Sequence, residues 1–216
     1  MTYDDLHRQA ETRHLTILGG FHPTASDDTP EGCQTLLLVG PLEPDFWPVF
    51  TASPEWQDDA PDPMDRWSTR VIGDWAADIG AQAIYPFGGA PFLPFFSWAK
   101  RTKRIHASPI MLLVHDKAGL FVAFRGALAL KQRIALPAPP PNPCESCIGQ
   151  PCRTACPVNA FDGANYDVPA CKNYLSTSSG QDCMDRGCAA RSACPVSQRH
   201  QRLAAQSAYH MQTFKG

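Results

Sequence analysis

The sequence predicts a mixed fold, α/β or α+β, over residues 1–136, followed by a small cysteine-rich domain at residues 144–216. Two observations predict the mixed fold: a short apolar run typical of a buried strand, and a longer segment with helical spacing of its apolar residues. A third observation separates the two parts. Residues 137–143 read Pro-Ala-Pro-Pro-Pro-Asn-Pro, which is typical of a stiff, extended linker.

The clearest strand and the clearest helix both lie in the first part. Residues 35–39 are mostly apolar and end at Gly40-Pro41, which indicates a buried strand. Asp62 and Pro63 suit the cap and first position of a helix, and Gly80 suits its end. Between them, apolar residues recur at spacings of three and four: Met64, Trp67, Val71, Trp75 and Ile79.

Other elements follow from weaker patterns. Residues 110–116 and 120–125 are predicted to be two strands joined by a turn at residues 117–119. The aromatic stretch at residues 85–98 reads as a loop followed by a short helix. Residues 201–214 are predicted to form a terminal helix that packs Leu203, Tyr209 and Phe214.

Composition narrows the possible functions. The chain has 216 residues and a net charge of −2. It therefore lacks the strong positive charge that would attract nucleic acid or an acidic membrane as partner. No apolar run approaches the roughly 20 residues that a membrane-spanning helix needs. Residues 1–13 are polar and lack the pattern of a signal peptide, which predicts a cytoplasmic protein without membrane insertion.

Eight of the nine cysteines form two groups that each end in Cys-Pro. The first has the spacing C-x2-C-x4-C-x3-C-P: Cys144, Cys147, Cys152 and Cys156. The second is more widely spaced: Cys171, Cys183, Cys188 and Cys194. The bacterial ferredoxin pattern is C-x2-C-x2-C-x3-C-P, so the first group differs by two residues in one gap. In a reducing compartment, clustered thiols indicate metal binding rather than disulfides.

The pattern predicts two [4Fe-4S] clusters with crossed ligation. In two-cluster ferredoxins the cysteine before proline binds the other cluster. The first cluster would therefore use Cys144, Cys147, Cys152 and Cys194. The second would use Cys156, Cys171, Cys183 and Cys188.

Other interpretations of these residues stay open. Two zinc ions with four cysteines each would also use eight thiolates. Cys33 stands alone and reads as a small core residue. Arg153, Arg186 and Arg191 alternate with the cysteines, where they would offset cluster charge, dock a redox partner or simply face solvent.

The cysteine motifs resemble the ferredoxin part of epoxyqueuosine reductases and reductive dehalogenases, which are cobalamin-dependent enzymes with two [4Fe-4S] clusters. The residues that carry the resemblance are Cys144-Glu-Ser-Cys147, Cys156-Pro-Val-Asn-Ala160, residues 170–177 and Cys194-Pro195. Residues 112–126 resemble the strand pair that precedes that part. They are also similar to a segment of CblC-type cobalamin-processing proteins, as are Phe21-His-Pro23, the strand at residues 35–39 and Asp62-Pro-Met-Asp65.

The resemblance implies a nitroreductase-like domain at residues 1–136 that holds a corrinoid, followed in the sequence by a dicluster ferredoxin-like domain. The expected activity is that of an oxidoreductase, which reduces cobalamin or removes its upper ligand. The redox donor would be a flavodoxin, a ferredoxin or a flavin reductase. Gly88 stands where epoxyqueuosine reductases carry an acidic proton donor, and no catalytic residue is predicted.

The candidate corrinoid-binding residues are Gly88, Gly89, Pro91, His115 and Arg125. Two glycines let a flat ligand approach the backbone, but they also suit an ordinary turn. The aromatic residues between 87 and 98 would line a pocket or fill the core. His22 and His115 are candidate cobalt ligands or proton donors, although a lone histidine is more often structural. The basic run Arg101, Lys103 and Arg104 would meet a cofactor edge or face solvent.

Two further function classes compete with corrinoid reduction. One is a ferredoxin-type electron carrier that docks on a partner enzyme without binding a corrinoid. The other is a module whose clusters only stabilise the fold or sense oxygen.

Overall fold

The computed structural model describes all 216 residues as a mixed α/β fold with nine α-helices and six short strands. The strands are β1 (Leu15–Phe21), β2 (Thr35–Pro41), β3 (Gln82–Ile84), β4 (Ile105–Ala107), β5 (Leu113–His115) and β6 (Gly126–Leu130). The helices are α1 (Tyr3–Glu11), α2 (Phe46–Thr51), α3 (Pro54–Gln57), α4 (Pro63–Asp78), α5 (Phe95–Arg101), α6 (Val168–Leu175), α7 (Gln181–Arg186), α8 (Ala189–Ser192) and α9 (Ala204–Lys215). None of the helices combines the length and the apolar character that crossing a bilayer requires.

The chain divides into two compact units. Unit 1 comprises Met1–Arg104 and Ala123–Pro140, and unit 2 comprises Ile105–Val122 and Pro141–Gly216. This division departs from the expected boundary at residue 136, because the segment at residues 105–122 belongs with the cysteine-rich part.

Hydrogen bonds and apolar packing explain why that segment joins unit 2. The backbone N–H of Leu120 donates to Ser197 Oγ at 2.8 Å. Arg202 Nη1 donates to the Phe121 carbonyl at 3.0 Å. Ile110, Val114 and Leu120 also pack in one cluster with the buried side chains of Cys152, Phe161 and Cys194.

Unit 1 is built on an antiparallel four-stranded sheet with the strand order β1-β2-β6-β3. The strand expected at residues 35–39 is confirmed as the core of β2. Every residue of β2 and β6 is buried, as expected for the two central strands. The sheet is therefore of the α+β kind rather than the parallel kind.

Helix α4 confirms the expected helix and corrects its cap. Pro63 occupies the first turn, and Met64, Trp67 and Trp75 are buried. Burying each such side chain contributes about 1.5–3 kcal/mol. Asp62 stands at the cap position with φ +53°, but its side chain makes no capping hydrogen bond.

The prediction of a strand at residues 120–125 is wrong. Only β5 forms in this region, and it pairs with β4, while the next strand begins at Gly126. His115 and Gly119 exchange two backbone hydrogen bonds that close the turn between them. The carbonyls of Leu120 and Phe121 accept from Arg191 and Arg202 instead of from a neighbouring strand.

The two remaining helix predictions hold with shifted bounds. The aromatic stretch is a loop up to Pro94, followed by α5. The terminal helix α9 begins at Ala204, so Leu203 takes the cap position outside it. Phe214 stacks on Tyr166 with 6.1 Å between the ring centroids.

Candidate metal centre

Four cysteines of unit 2 line one cavity of about 450 Å³. They are Cys144, Cys147, Cys152 and Cys194, and they are called group 1 below. Cys152 and Cys194 are buried, whereas the other two keep partial solvent access. All nine cysteines of the chain are free thiols.

Short, turned backbone segments bring group 1 together. Asn142 Oδ1 accepts from the Cys144 N–H at 3.0 Å, which fixes the start of the loop. Gly149 and Gln150 have positive φ angles of 76° and 40°, and they turn the chain into the 3-10 helix that carries Cys152. Cys194 follows α8, where its N–H donates to the Arg191 carbonyl.

The surroundings of group 1 disfavour free thiolates. Burial raises the pKa of the Cys144 thiol to about 11, and the neighbouring Cys152, Cys194 and Cys147 add to the shift. Burial also raises the pKa of Cys152, again with help from Cys194 and Cys147. Four thiolates therefore need a positive centre between them, and metal binding would release protons.

The other four cysteines form a second set of neighbours, called group 2 below: Cys156, Cys171, Cys183 and Cys188. Burial raises the pKa values of Cys171 and Cys183. The neighbouring Cys188 and Cys156 add to the shift of Cys171, and Cys188 and Cys171 add to that of Cys183. These cysteines come from four different pieces of chain: a loop, α6, α7 and the cap position of α8.

Three sulfurs of group 2 accept hydrogen bonds. The Ala160 N–H donates to Cys156 Sγ at 3.3 Å, and the Ala189 N–H donates to Cys183 Sγ. The Tyr166 hydroxyl donates to Cys171 Sγ. Tyr166 was missed in the sequence; its only signal is an aromatic residue with a polar end placed between two cysteines.

The structure thus brings together the same two sets of four that the crossed pattern predicts. Cys156 lies with the cysteines of the second motif, and Cys194 lies with those of the first. The presence of iron stays a prediction.

No group of three or more His, Cys, Asp or Glu side chains is arranged to hold a metal ion. A zinc ion bound by four cysteines has Zn–S bonds of about 2.3 Å, which holds its sulfurs about 4 Å apart. A four-iron cube is larger and needs its four thiolates farther apart around a cavity.

The five candidate corrinoid residues are divided between the units. Gly88, Gly89 and Pro91 are exposed in unit 1, in the loop before α5. Both glycines have positive φ, +110° and +101°, and an added Cβ would meet nothing within 4 Å. The backbone conformation, not close packing, requires them. Arg125 pairs with Asp65 at 3.3 Å and lies over the Phe87 ring.

His115 belongs to unit 2, and both its ring nitrogens are engaged. Nδ1 accepts from the backbone N–H of Lys117 at 3.2 Å and of Ala118 at 3.1 Å. Nε2 lies 3.0 Å from Asp116 Oδ1. These bonds organise the turn after β5. His22 likewise bonds through Nε2 to the Ile134 carbonyl at 2.9 Å.

The aromatic stretch splits into core and surface residues. Phe95 and Trp98 are buried, and Trp98 Nε1 donates to the Asp27 carbonyl. Phe92 and Phe96 are 73% and 51% exposed. Of the basic run in this region, Arg101 pairs with Asp27 at 2.9 Å.

The three arginines among the cysteines have different surroundings. Arg186 is exposed and pairs with Asp182 at 3.4 Å. Arg153 is exposed and donates to Gln150 Oε1 at 2.7 Å. Arg191 keeps partial solvent access as a residue, but protein surrounds its guanidinium, and this burial lowers its pKa.

Cys33 lies apart from both groups, at the start of β2. It is partly exposed, and its thiol donates to the Thr35 carbonyl at 3.4 Å. Burial raises its pKa, so this thiol stays protonated near neutral pH.

No family model, curated protein or solved structure matches this chain. The site consists of eight thiols in two sets, with hydrogen-bond donors around group 2 and an apolar cavity at group 1.

Proposed function

We propose that this chain is an electron-transfer protein that holds two [4Fe-4S] clusters, one on each cysteine group. The observation that carries the proposal is the sorting of eight thiols into two sets of four within one unit. Such clusters supply one-electron chemistry at negative or mildly positive potentials. The chain supplies the thiolates, the burial and the hydrogen bonds around them.

The space between the thiols of group 1 supports iron clusters over zinc ions. Group 1 surrounds a cavity rather than a point, as a cube of iron and sulfide requires. Group 2 sulfurs accept N–H and O–H hydrogen bonds, a feature that adjusts the potential of iron–sulfur centres. In both groups at least one cysteine is buried, so water does not reach all of the thiols.

Metal analysis of protein purified without oxygen tests this proposal. We expect about eight irons and eight sulfides per chain, and a signal from reduced [4Fe-4S] centres in electron paramagnetic resonance. Replacing Cys147 by Ala should remove about half of the iron. Cys33→Ala is the matched control and should leave the iron content unchanged. A colourless protein that contains zinc would contradict the proposal.

We also propose a corrinoid as electron acceptor, bound by unit 1 at the loop before α5. The supporting observation is a pair of exposed rings, Phe92 and Phe96, in the same segment as the unhindered Gly88 and Gly89. Apolar rings and bare backbone suit the flat face of a macrocycle. The activity would be that of a cobalamin reductase or an upper-ligand-removing enzyme.

The same exposed rings also suit docking of a partner enzyme, which would make the chain a ferredoxin-type carrier. Titration with hydroxocobalamin separates the two functions. Binding should shift the visible spectrum of the corrinoid, and Phe92→Ser with Phe96→Ser should weaken it. Unchanged corrinoid spectra in a protein with intact clusters would favour the carrier.

A further inference from the structure

We propose that Arg191 and Tyr166 raise the reduction potential of a cluster held by group 2 above that of a cluster held by group 1. The inference rests on the proposed function, because it concerns the surroundings of the same eight thiolates. It assigns to each group a different electrostatic environment, created by residues that are not themselves ligands.

Arg191 is a buried cation without a carboxylate partner. It lies on α8, between Cys188 of group 2 and Cys194 of group 1. Its Nη1 donates to the Leu120 carbonyl at 2.6 Å, and its titratable neighbours are the Cys188 thiol and the Tyr166 hydroxyl. A guanidinium keeps its proton in proteins, and burying its charge is costly unless a negative group lies nearby. A cluster with four thiolates supplies that negative charge.

Tyr166 is held in place to donate to a sulfur of group 2. Its ring stacks on Phe161 with 4.5 Å between centroids and on Phe214 with 6.1 Å. Its hydroxyl donates to Cys171 Sγ. Hydrogen bonds to cluster sulfurs favour the more negative, reduced state and therefore raise the potential.

Group 1 lacks a buried cation: Arg153 acts on Cys152, but Arg153 is exposed, so water screens its charge. Its cavity is lined largely by apolar side chains, among them Val114, Leu120 and Ile148, and Arg199 is the one charged residue of the lining. Arg199 is exposed, so water screens its charge. Burial in apolar surroundings opposes the added negative charge of reduction, which lowers the potential.

The comparison of the three arginines selects Arg191. Arg186 is exposed and already paired with Asp182, and Arg153 is exposed and points to Gln150. Only the Arg191 guanidinium is both surrounded by protein and adjacent to a cysteine of group 2. Its charge is therefore the least screened of the three.

The test is a redox titration of the cluster-loaded protein, followed by electron paramagnetic resonance. The parent protein should show two couples at separate potentials. Arg191→Gln should lower the reduction potential of the upper couple by at least about 59 mV. For a one-electron couple this is a tenfold change in the ratio of reduced to oxidised cluster. Arg191→Lys keeps the charge and should recover most of this shift. Arg153→Gln is the control and should leave the upper couple in place.

Tyr166→Phe keeps the stacked ring and removes only the hydroxyl, so it tests the inference even if Arg191 variants fold poorly. It should lower the upper couple by less than Arg191→Gln and leave the lower couple unchanged. A single potential in the parent, or an upper couple that Tyr166→Phe does not move, would overturn the inference. Protein without iron would instead refute the proposed function.

Discussion

The two units of this chain differ in their apolar cores. Unit 1 has a complete apolar core, since the fully buried aromatic side chains Trp75, Trp98, Phe46 and Phe50 all lie in it. In unit 2 the largest fully buried side chains are Ile105 and Ile110, and cysteines take a share of its core. Its helices are short, and its only sheet has two strands of three residues.

This difference suggests a test, because under the proposed function the residues that bind the clusters would also stabilise unit 2. Small units with little apolar burial are often stabilised by disulfides or metal. The thiols of unit 2 are free, so bound clusters would take that part if the proposal holds. Unit 1 should be indifferent to that metal, and the predictions below test the separation.

Removal of the metal should have the largest effect. We expect chelation after oxidation to unfold unit 2, because the four thiols of each group then surround an empty space. Unit 1 should stay folded. Hydrogen exchange should show lost protection at residues 105–122 and 141–216 only. All five tryptophans lie in unit 1 and should keep their buried emission spectrum. Unchanged protection in unit 2 would break the comparison.

Two glycines with similar backbone angles provide a matched pair of smaller changes. Gly119, with φ +57°, packs against Ser197, whose backbone N would overlap with an added Cβ. Gly119→Ala should therefore cost unit 2 about 2–4 kcal/mol, from strain and overlap together. Gly80, with φ +65°, faces open space, so Gly80→Ala should cost unit 1 about 1 kcal/mol.

Thermal unfolding monitored by visible absorbance for unit 2 and by tryptophan fluorescence for unit 1 measures this pair. Loss of stability in unit 1 from Gly119→Ala, with unit 2 unaffected, would contradict the assignment of residue 119 to unit 2.

The smallest effect concerns an ion pair of unit 1. Arg70 lowers the pKa of Glu55 from 4.5 to about 2 through a hydrogen-bonded pair. A lowered pKa contributes stability that is full above pH 4.5 and is lost as the pH falls toward 2. Arg70 is about half exposed, so Glu55→Gln should cost about 1–2 kcal/mol at pH 7.

Denaturant unfolding of unit 1 at several pH values measures this cost by tryptophan fluorescence. The parent and Glu55→Gln should converge as the pH approaches 2. A constant difference between them down to pH 2 would show that the pair contributes through packing rather than charge.

Local patterns were sufficient wherever neighbouring residues decide the structure. Strand β2 and helix α4 follow from apolar spacing, and the two sets of cysteines follow from motif spacing. Residues 120–125 misled because their apolar run is typical of a strand, whereas arginines more than 70 residues away take the Leu120 and Phe121 carbonyls. No local pattern reveals such a partner.

Tertiary contacts also decided which residues support the site. Nothing in the sequence distinguishes Arg191 from Arg153 and Arg186, since burial and neighbours make the difference. His115 suited a ligand by residue type, yet the turn after β5 engages both ring nitrogens. Tyr166 acts on Cys171 because the fold stacks it between Phe161 and Phe214.

Native mass spectrometry of the chain, purified and sprayed without oxygen, tests the central claim most directly. The account predicts a mass increase that matches two [4Fe-4S] clusters, and a Cys171→Ala variant that retains only one. A mass increase that matches two zinc ions, or none at all, would contradict it.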